Sequence, residues 1–230
     1  MKIDVKPRNT DKSIYFSDGG YCFLKNDNFS VAIPIIDPAK KLKTGHIHLD
    51  VGSINVSYKG KPFIVDPGTY TYTRDLQTRL KYIDIHSHNI PVIKGEEAQG
   101  VEIPGYFNVR MDNRIKIIEF NGHSLRYKQT YFSVDITRAV FLKKDKVVIT
   151  DEAGKEIRSY LHFHPAVKLL EKSEKGVYWF RVGANDITMS VGGKTQMLEY
   201  EYSGSYNIKE MATKLAIECG GYNVTEISIT

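Results

Sequence analysis

Residues 45–89 contain three motifs that decide what fold and chemistry to expect: Gly45-His46-Ile47-His48-Leu49-Asp50, Val65-Asp66-Pro67-Gly68 and His86-Ser87-His88-Asn89. They hold four of the chain's seven histidines, and each lies beside residues typical of strands or turns. Imidazole nitrogens and a carboxylate oxygen are the donors that zinc takes in a tetrahedral site. The stretch therefore suggests a metal site assembled by neighbouring strands of a sheet.

The spacing within the motifs assigns different positions to their side chains. His46 and His48 are two residues apart, so on a strand they point to the same face, about 7 Å apart along it. One of them can bind a metal while the other stays free beside it. Asp66 precedes a Pro-Gly turn, which places its carboxylate at the end of a strand.

The rest of the chain predicts an all-β fold, an antiparallel β-sandwich with few short helices, formed by residues 1–230 as a single domain. Apolar or alternating runs of strand length recur throughout, separated by turn signals such as Asn121-Gly122 and Gly192-Gly193. Two stretches could be short helices, Thr73 to Tyr82 and Ile208 to Cys219. The second is ambiguous, because Leu215 to Cys219 would also serve as a strand.

Composition narrows the partners and the compartment. The net charge of +5 favours anions, either nucleic acid or an acidic polysaccharide, and the chain has no nucleic-acid-binding motif. Cys22 and Cys219 are the only cysteines, which favours two free thiols over one bridge. The first eight residues lack the apolar region of a signal peptide, and no run has the length of a membrane span. The chain could still be a piece of a longer secreted protein.

Taken in order, the three motifs resemble the C-terminal β-sandwich domain of the heparinase II/III-like polysaccharide lyases. That family's pattern reads Gly-His-x-His-x-Asp, then Val-Asp-Pro-Gly-Thr at the end of an apolar strand, and later Ala-His-Asn-Thr. The chain matches it at 45–50, 65–69 and 87–89. Looser similarity extends over most of the chain, including Thr137-Arg138-Ala139-Val140 and His162-Phe163-His164-Pro165.

The resemblance implies a supersandwich-like fold and a set of site residues. It implies a divalent metal, usually zinc, held by His48, Asp66 and His88 in a mainly structural role. It places His46 at the substrate cleft as the catalytic residue. The chain departs from the pattern at Ile83 to His86, where the family commonly has an arginine, and at Ile90, where it has threonine.

The activity that the resemblance implies is β-elimination in a uronic-acid-containing polysaccharide. The family's N-terminal α/α toroid, which supplies the other wall of the cleft, is absent from these 230 residues. The expected partners are therefore an acidic polysaccharide or oligosaccharide and an α/α toroid domain or partner chain, and the family suggests a periplasmic or secreted protein. The alternative is a carbohydrate-binding or structural metal-bound module without turnover.

Other polar residues have simpler interpretations. The pair His162 and His164 is expected to be strand histidines in the core or on the surface. His86 is either an exposed loop residue or an extra ligand or substrate contact. Tyr70 and Tyr72 either face a sugar ring or pack on a half-buried strand. The remaining candidates are His123, expected in a turn, and a possible acidic-sugar contact in a solvated loop at Lys40, Lys41 and Lys43.

Overall fold

The strands form four antiparallel sheets in the computed structural model of the chain, which describes residues 12–36, 48–96, 101–102, 110–111, 113–131 and 134–230. The elements are β1 Ile14–Phe16, β2 Tyr21–Lys25, β3 Phe29–Pro34, β4 Asn55–Tyr58, β5 Lys61–Ile64, α1 Leu76–Ile83, a 3-10 helix Ile85–Ser87, β6 Pro91–Ile93, β7 Val101–Glu102, β8 Arg110–Met111, β9 Asn113–Phe120, β10 Ser124–Tyr131, β11 Val134–Lys143, β12 Lys146–Ala153, β13 Ile157–His162, β14 Lys168–Lys172, β15 Val177–Val182, β16 Asn185–Val191, β17 Lys194–Ser205, β18 Ile208–Cys219 and β19 Tyr222–Ile229.

The strand order defines the four sheets. A five-stranded sheet has the order β1-β2-β3-β4-β5, and an eight-stranded sheet has the order β14-β15-β16-β19-β12-β11-β10-β9. A four-stranded sheet has the order β17-β18-β13-β6, and β7 pairs with β8.

A main core lies between the sheets, because alternate residues of the strands point inward. In β3, for example, Phe29, Val31 and Ile33 are buried. The aromatic centre of the main core joins β5, the residue after β13, and β15. The ring centroids of Phe63 and Phe163 are 5.5 Å apart, and those of Phe163 and Phe180 are 4.6 Å apart. The predicted all-β, antiparallel sandwich is confirmed. Within the described part of the chain, no helix is long and apolar enough to cross a bilayer.

The structure settles the ambiguous segments. Thr73 to Tyr82 does contain a helix, which begins at Leu76 and ends at Ile83. The helical interpretation of Ile208 to Cys219 is wrong, because the segment is β18 and pairs along its length with β17. The strand β17 was not predicted, since Tyr200 and Ser203 are its only buried positions and its sequence lacks apolar alternation. The cysteines are free, as expected.

A second, smaller core supports the segments that hold the first and third motifs. It combines Leu49, Ile83 and Ile85 with residues of β6 and with Ile136 of β11. Leu49 also donates its backbone N–H to the carbonyl oxygen of Ile83, 3.1 Å away. This packing brings the residues after His48 against the end of α1, so the first and third motifs become neighbours.

A buried ion pair lies beneath this second core. Arg138 of β11 makes a bidentate contact with Asp151 of β12, with Nε–Oδ1 and NH2–Oδ2 distances of 2.6 and 3.0 Å. Both side chains are 2% exposed. Arg138 also donates from NH1 to the carbonyl oxygens of Asn89 and Gly52, at 2.7 and 3.4 Å. The guanidinium therefore connects the eight-stranded sheet to two segments next to the motifs.

Replacing Arg138 with Met should lower the free energy of unfolding by about 3–5 kcal/mol, because Asp151 would remain buried without a counter-ion. Urea unfolding measures this change. The matched control is Arg138→Met combined with Asp151→Leu, which removes both charges and should lose less than Arg138→Met alone. A loss near zero for the single variant would contradict the importance assigned to the pair.

Candidate metal centre

His88 and Asp66 form a closed pair at the centre of the candidate site. His88 is fully buried, and its Nδ1 lies 2.6 Å from Oδ2 of Asp66. A carboxylate only accepts, so Nδ1–H is the donor. The other carboxylate oxygen of Asp66 accepts the backbone N–H of Gly68 at 2.9 Å. The second ring nitrogen of His88, Nε2, is buried and has no hydrogen-bond partner among the described residues.

His48 lies next to this pair. The centroids of the His48 and His88 rings are 5.5 Å apart, with an angle of 47° between the planes. The three residues expected to bind metal are therefore brought together from three separate segments. His46 lies outside the described residues, as do Lys40, Lys41 and Lys43.

The donor set suits zinc, which takes imidazole nitrogens and carboxylate oxygens, and Nε2 of His88 has no hydrogen-bond partner among the described residues. In a charged pair with Asp66 this nitrogen carries a proton, which it must lose before it can bind the ion. The geometry is that of a hydrogen-bonded Asp–His pair rather than a completed ligand set. Across the described part of the chain, no group of three or more His, Cys, Asp or Glu side chains is arranged to hold a metal ion. The donor types of the three residues and their proximity fit zinc. Binding the ion through both Asp66 and His88 would require breaking the hydrogen bond between them.

The electrostatics of the site favour a charged pair. Burial alone would lower the pKa of His88, but the Asp66 carboxylate and its hydrogen bond outweigh burial and raise it. Burial alone would raise the pKa of Asp66. The charge of His88 and its hydrogen bond to Asp66 outweigh the effect of burial, so the pKa of Asp66 is lowered. Asp50, which was not predicted as a site residue, is close enough to interact with both His88 and Asp66. Burial raises the pKa of Asp50, the positive charge on His88 opposes that rise, and the negative charge on Asp66 adds to it.

A tight turn holds Asp66 in place. Its backbone N–H donates to Oδ1 of Asn55 at 2.7 Å. Gly68 has φ of +88°, and a Cβ at this position would lie 2.0 Å from the carbonyl oxygen of Ser203. Only glycine fits that contact. Ser203 of β17 also donates its N–H to Pro67 at 2.8 Å, so the strand missed by the sequence analysis anchors the turn.

Two helix caps determine where His88 falls. Asp75 caps α1 by accepting the N–H of Thr78 at 3.0 Å. Asp84 has φ and ψ of −55° and 142°, which ends α1, and it then caps the 3-10 helix by accepting the N–H of His86 at 2.8 Å. His88 follows directly, in extended conformation. Asp75 and Asp84, which lie between the second and third motifs, therefore serve as helix caps.

Asn89 joins the segments that surround the site. Its Nδ2 donates to the carbonyl oxygens of Ile54 and Val65, at 2.9 Å each. Its Oδ1 accepts from the backbone N–H and from Nδ1 of His162, at 2.8 and 3.0 Å. The prediction of a strand histidine is confirmed for His162, which is 1% exposed. Its pKa is well below the usual value because of burial. The only sequence signal for Asn89 was its place after His88.

The other candidate site residues lie outside the group formed by His48, Asp66 and His88. His86 is partly exposed and bonds to Asp84, with a distance of 2.7 Å between Nδ1 and Oδ1. Tyr70 stacks on Tyr82 and Tyr72 on Tyr206, with centroid distances of 6.0 and 5.9 Å, which supports packing roles. His123 lies in the expected turn, where its N–H donates to Asn121.

Solved structures of lyases have a similar fold. A heparinase III structure superposes with a TM-score of 0.77 at 14% identity, covering 96% of this chain and 36% of the other. The heparan sulfate lyase HepC from Pedobacter heparinus superposes with a TM-score of 0.75 at 16% identity, covering 94% of this chain and 36% of the other. This chain therefore spans about a third of the length of these structures. At such identities the likeness shows the fold alone.

The sequence itself gives the family. No curated protein matches the chain at a significant level. The family model described as "Heparinase II/III-like, C-terminal" matches residues 8–229, which is nearly the whole chain. The motifs at 45–50, 65–69 and 87–89 lie within that match. The chain belongs to the heparinase II/III-like C-terminal family.

Proposed function

We propose that this chain is the sandwich part of a polysaccharide lyase that cleaves a uronic-acid-containing polymer by β-elimination. Family membership supports a place among polysaccharide lyases, and the similar structures are a heparinase III and a heparan sulfate lyase. The observation that carries the proposal is the buried His88–Asp66 pair with His48 beside it. Three separate segments bring two imidazoles and one carboxylate together there.

In the proposed site, His48, Asp66 and His88 hold a zinc ion. Zinc, when bound, would supply a positively charged cross-link between the three segments. His46 lies two residues before His48 in the sequence, so the proposed ion would be bound close to it along the chain. β-Elimination requires removal of the C5 proton of a uronic acid, neutralisation of its carboxylate and protonation of the departing oxygen. An imidazole with a pKa near 6.5 can take or give a proton at neutral pH, and His46 is assigned that role.

A carbohydrate-binding module without turnover is the second candidate. It is supported by the fold that the chain shares with the lyase structures, since that fold alone requires no proton-transfer group. A cleft with a single wall can bind a sugar, but it excludes water poorly and holds fewer groups in place for proton transfer. Metal content does not distinguish the two candidates, whereas turnover by a protein that has both walls of the cleft does.

The first prediction concerns the metal. The purified chain should hold about one zinc per molecule at neutral pH, and excess zinc should raise the melting temperature of the metal-free chain by about 5–10 °C. Protons compete with zinc for both imidazoles, so the increase should shrink as the pH falls from about 7.5 to about 5.5. Elemental analysis and calorimetry measure these quantities.

Single variants His48→Ala, Asp66→Ala and His88→Ala should each abolish the zinc-dependent rise in melting temperature. His123→Ala, an exposed turn histidine, is the matched control and should keep it. Absence of stoichiometric metal from the wild-type chain, even after incubation with zinc, would refute the metal assignment.

The second prediction separates the two histidines of the first motif. His46→Ala should leave zinc content and melting temperature nearly unchanged, because His46 is assigned to the cleft and not to the ion. His48→Ala should reduce both. Equal metal loss in the two variants would show that the roles within the pair are wrong.

The third prediction concerns activity. Elimination creates an unsaturated uronide that absorbs in the near ultraviolet, so turnover is followed directly. Residues 1–230 alone should be inactive, or at least about a hundredfold slower than a lyase that has both walls of the cleft. Heparin-like and alginate-like polymers are suitable substrates for the assay. Rapid elimination by this chain alone would show that a second wall is dispensable.

A further inference from the structure

A half-buried lysine lies on the four-stranded sheet, on the face turned away from the main core. Lys214 of β18 pairs in register with His162 of β13. Its Nζ donates to the carbonyl oxygen of His86 at 3.2 Å and lies 4.5 Å from the centroid of the Tyr160 ring. The side chain therefore reaches the 3-10 helix that directly precedes His88, without belonging to the candidate metal centre.

The charge of Lys214 has no carboxylate within ion-pair distance among the described residues. At the other end of the same face, Glu218 pairs with both Lys94 and Arg158, at 3.1 and 2.6 Å. Asp84 is close enough to act on Lys214, but its carboxylate already accepts two hydrogen bonds from His86. Among the described residues, Lys214 is thus a half-buried cation on this face that has no counter-ion within ion-pair distance.

Burying the Lys214 ammonium without a counter-ion costs free energy. Burial lowers the pKa of the Lys214 ammonium, and the charge of Asp84 offsets this only in part. A backbone carbonyl and an aromatic face stabilise an ammonium less than a carboxylate does. An external anion would give this ammonium the partner that the chain does not provide.

The surroundings suit an anionic sugar. The rings of His86 and Tyr160 are 5.7 Å apart and nearly perpendicular, and the His86 side chain is 32% exposed. Aromatic surfaces beside a cation can contact a sugar ring while the cation binds its acidic group. We propose that Lys214, His86 and Tyr160 form a binding subsite for the carboxylate or sulfate group of an acidic saccharide. The choice of a saccharide rests on the proposed function, whereas the unneutralised ammonium does not.

The competing explanation is that Lys214 is structural, covering Tyr160 and binding the His86 carbonyl. Lys214→Met separates the two explanations, because methionine keeps an apolar stem over the ring and removes only the charge. Lys214→Arg retains the charge. Lys175→Met removes one exposed positive charge from the turn between β14 and β15 and is the matched control for the loss of net charge.

The experiment is an amide NMR titration of the full chain with potassium sulfate and with a trimer of galacturonic acid, using maltotriose as the uncharged comparison. We expect both anionic probes to shift the signals of residues 84–88 and 214, and maltotriose to leave them unchanged. Because one charge-assisted hydrogen bond is lost, Lys214→Met should bind the uronic-acid trimer about tenfold more weakly. Lys214→Arg and Lys175→Met should bind it nearly as well as the wild type.

Failure of this inference is distinguishable from failure of the proposed function. Equal weakening by Lys214→Met and Lys175→Met, no weakening by either, or no binding of the anionic probes to the wild type would overturn the subsite. Zinc content and elimination are measured on the same samples. Saccharide binding that depends on Lys214 in a protein that takes up no zinc would support the subsite and refute the proposed zinc site.

Discussion

The side-chain amide of Asn89 is the contact on which the arrangement of the site depends. It satisfies backbone groups of two separate segments and accepts two hydrogen bonds from His162 on a third. Asn89 is 0% exposed, so water does not replace any partner that is lost. Val65, one of the carbonyls it binds, directly precedes Asp66, and His88 directly precedes Asn89. Moving this one residue would displace two of the three proposed ligands.

The support of Asn89 extends into the eight-stranded sheet. Arg138 donates to the carbonyl oxygen of Asn89 while Asp151 neutralises the guanidinium. Tyr127 and Gln129 of β10 donate to the carbonyl oxygens of Gly52 and Val51, at 2.7 and 2.8 Å. The segment after His48 is therefore held by polar contacts from one sheet, and the turn after Asp66 is held by β17 of another. The site lies where the sheets meet.

Much of this could be predicted from the sequence, for reasons that differ between elements. The alternation of Phe29, Val31 and Ile33 fixes a strand with one buried face. The resemblance of the three motifs to the family pattern pointed to His48, Asp66 and His88 as the proposed ligands, because the residue types and their order along the chain match that pattern. The strand β17 was missed because its stability comes from pairing with β18 rather than from its own apolar pattern. The role of Asn89 depends on partners up to 73 residues away, and no local pattern specifies them.

The hydrogen bond between His88 and Asp66 also bears on how the chain folds. A zinc finger has no folded state before its ion arrives, because its ligands have no other partners. In this chain the buried imidazole and the carboxylate are partners of each other, and the second core and the Asn89 contacts are formed by protein atoms. The proposed zinc would therefore add stability to a fold that its own contacts already specify.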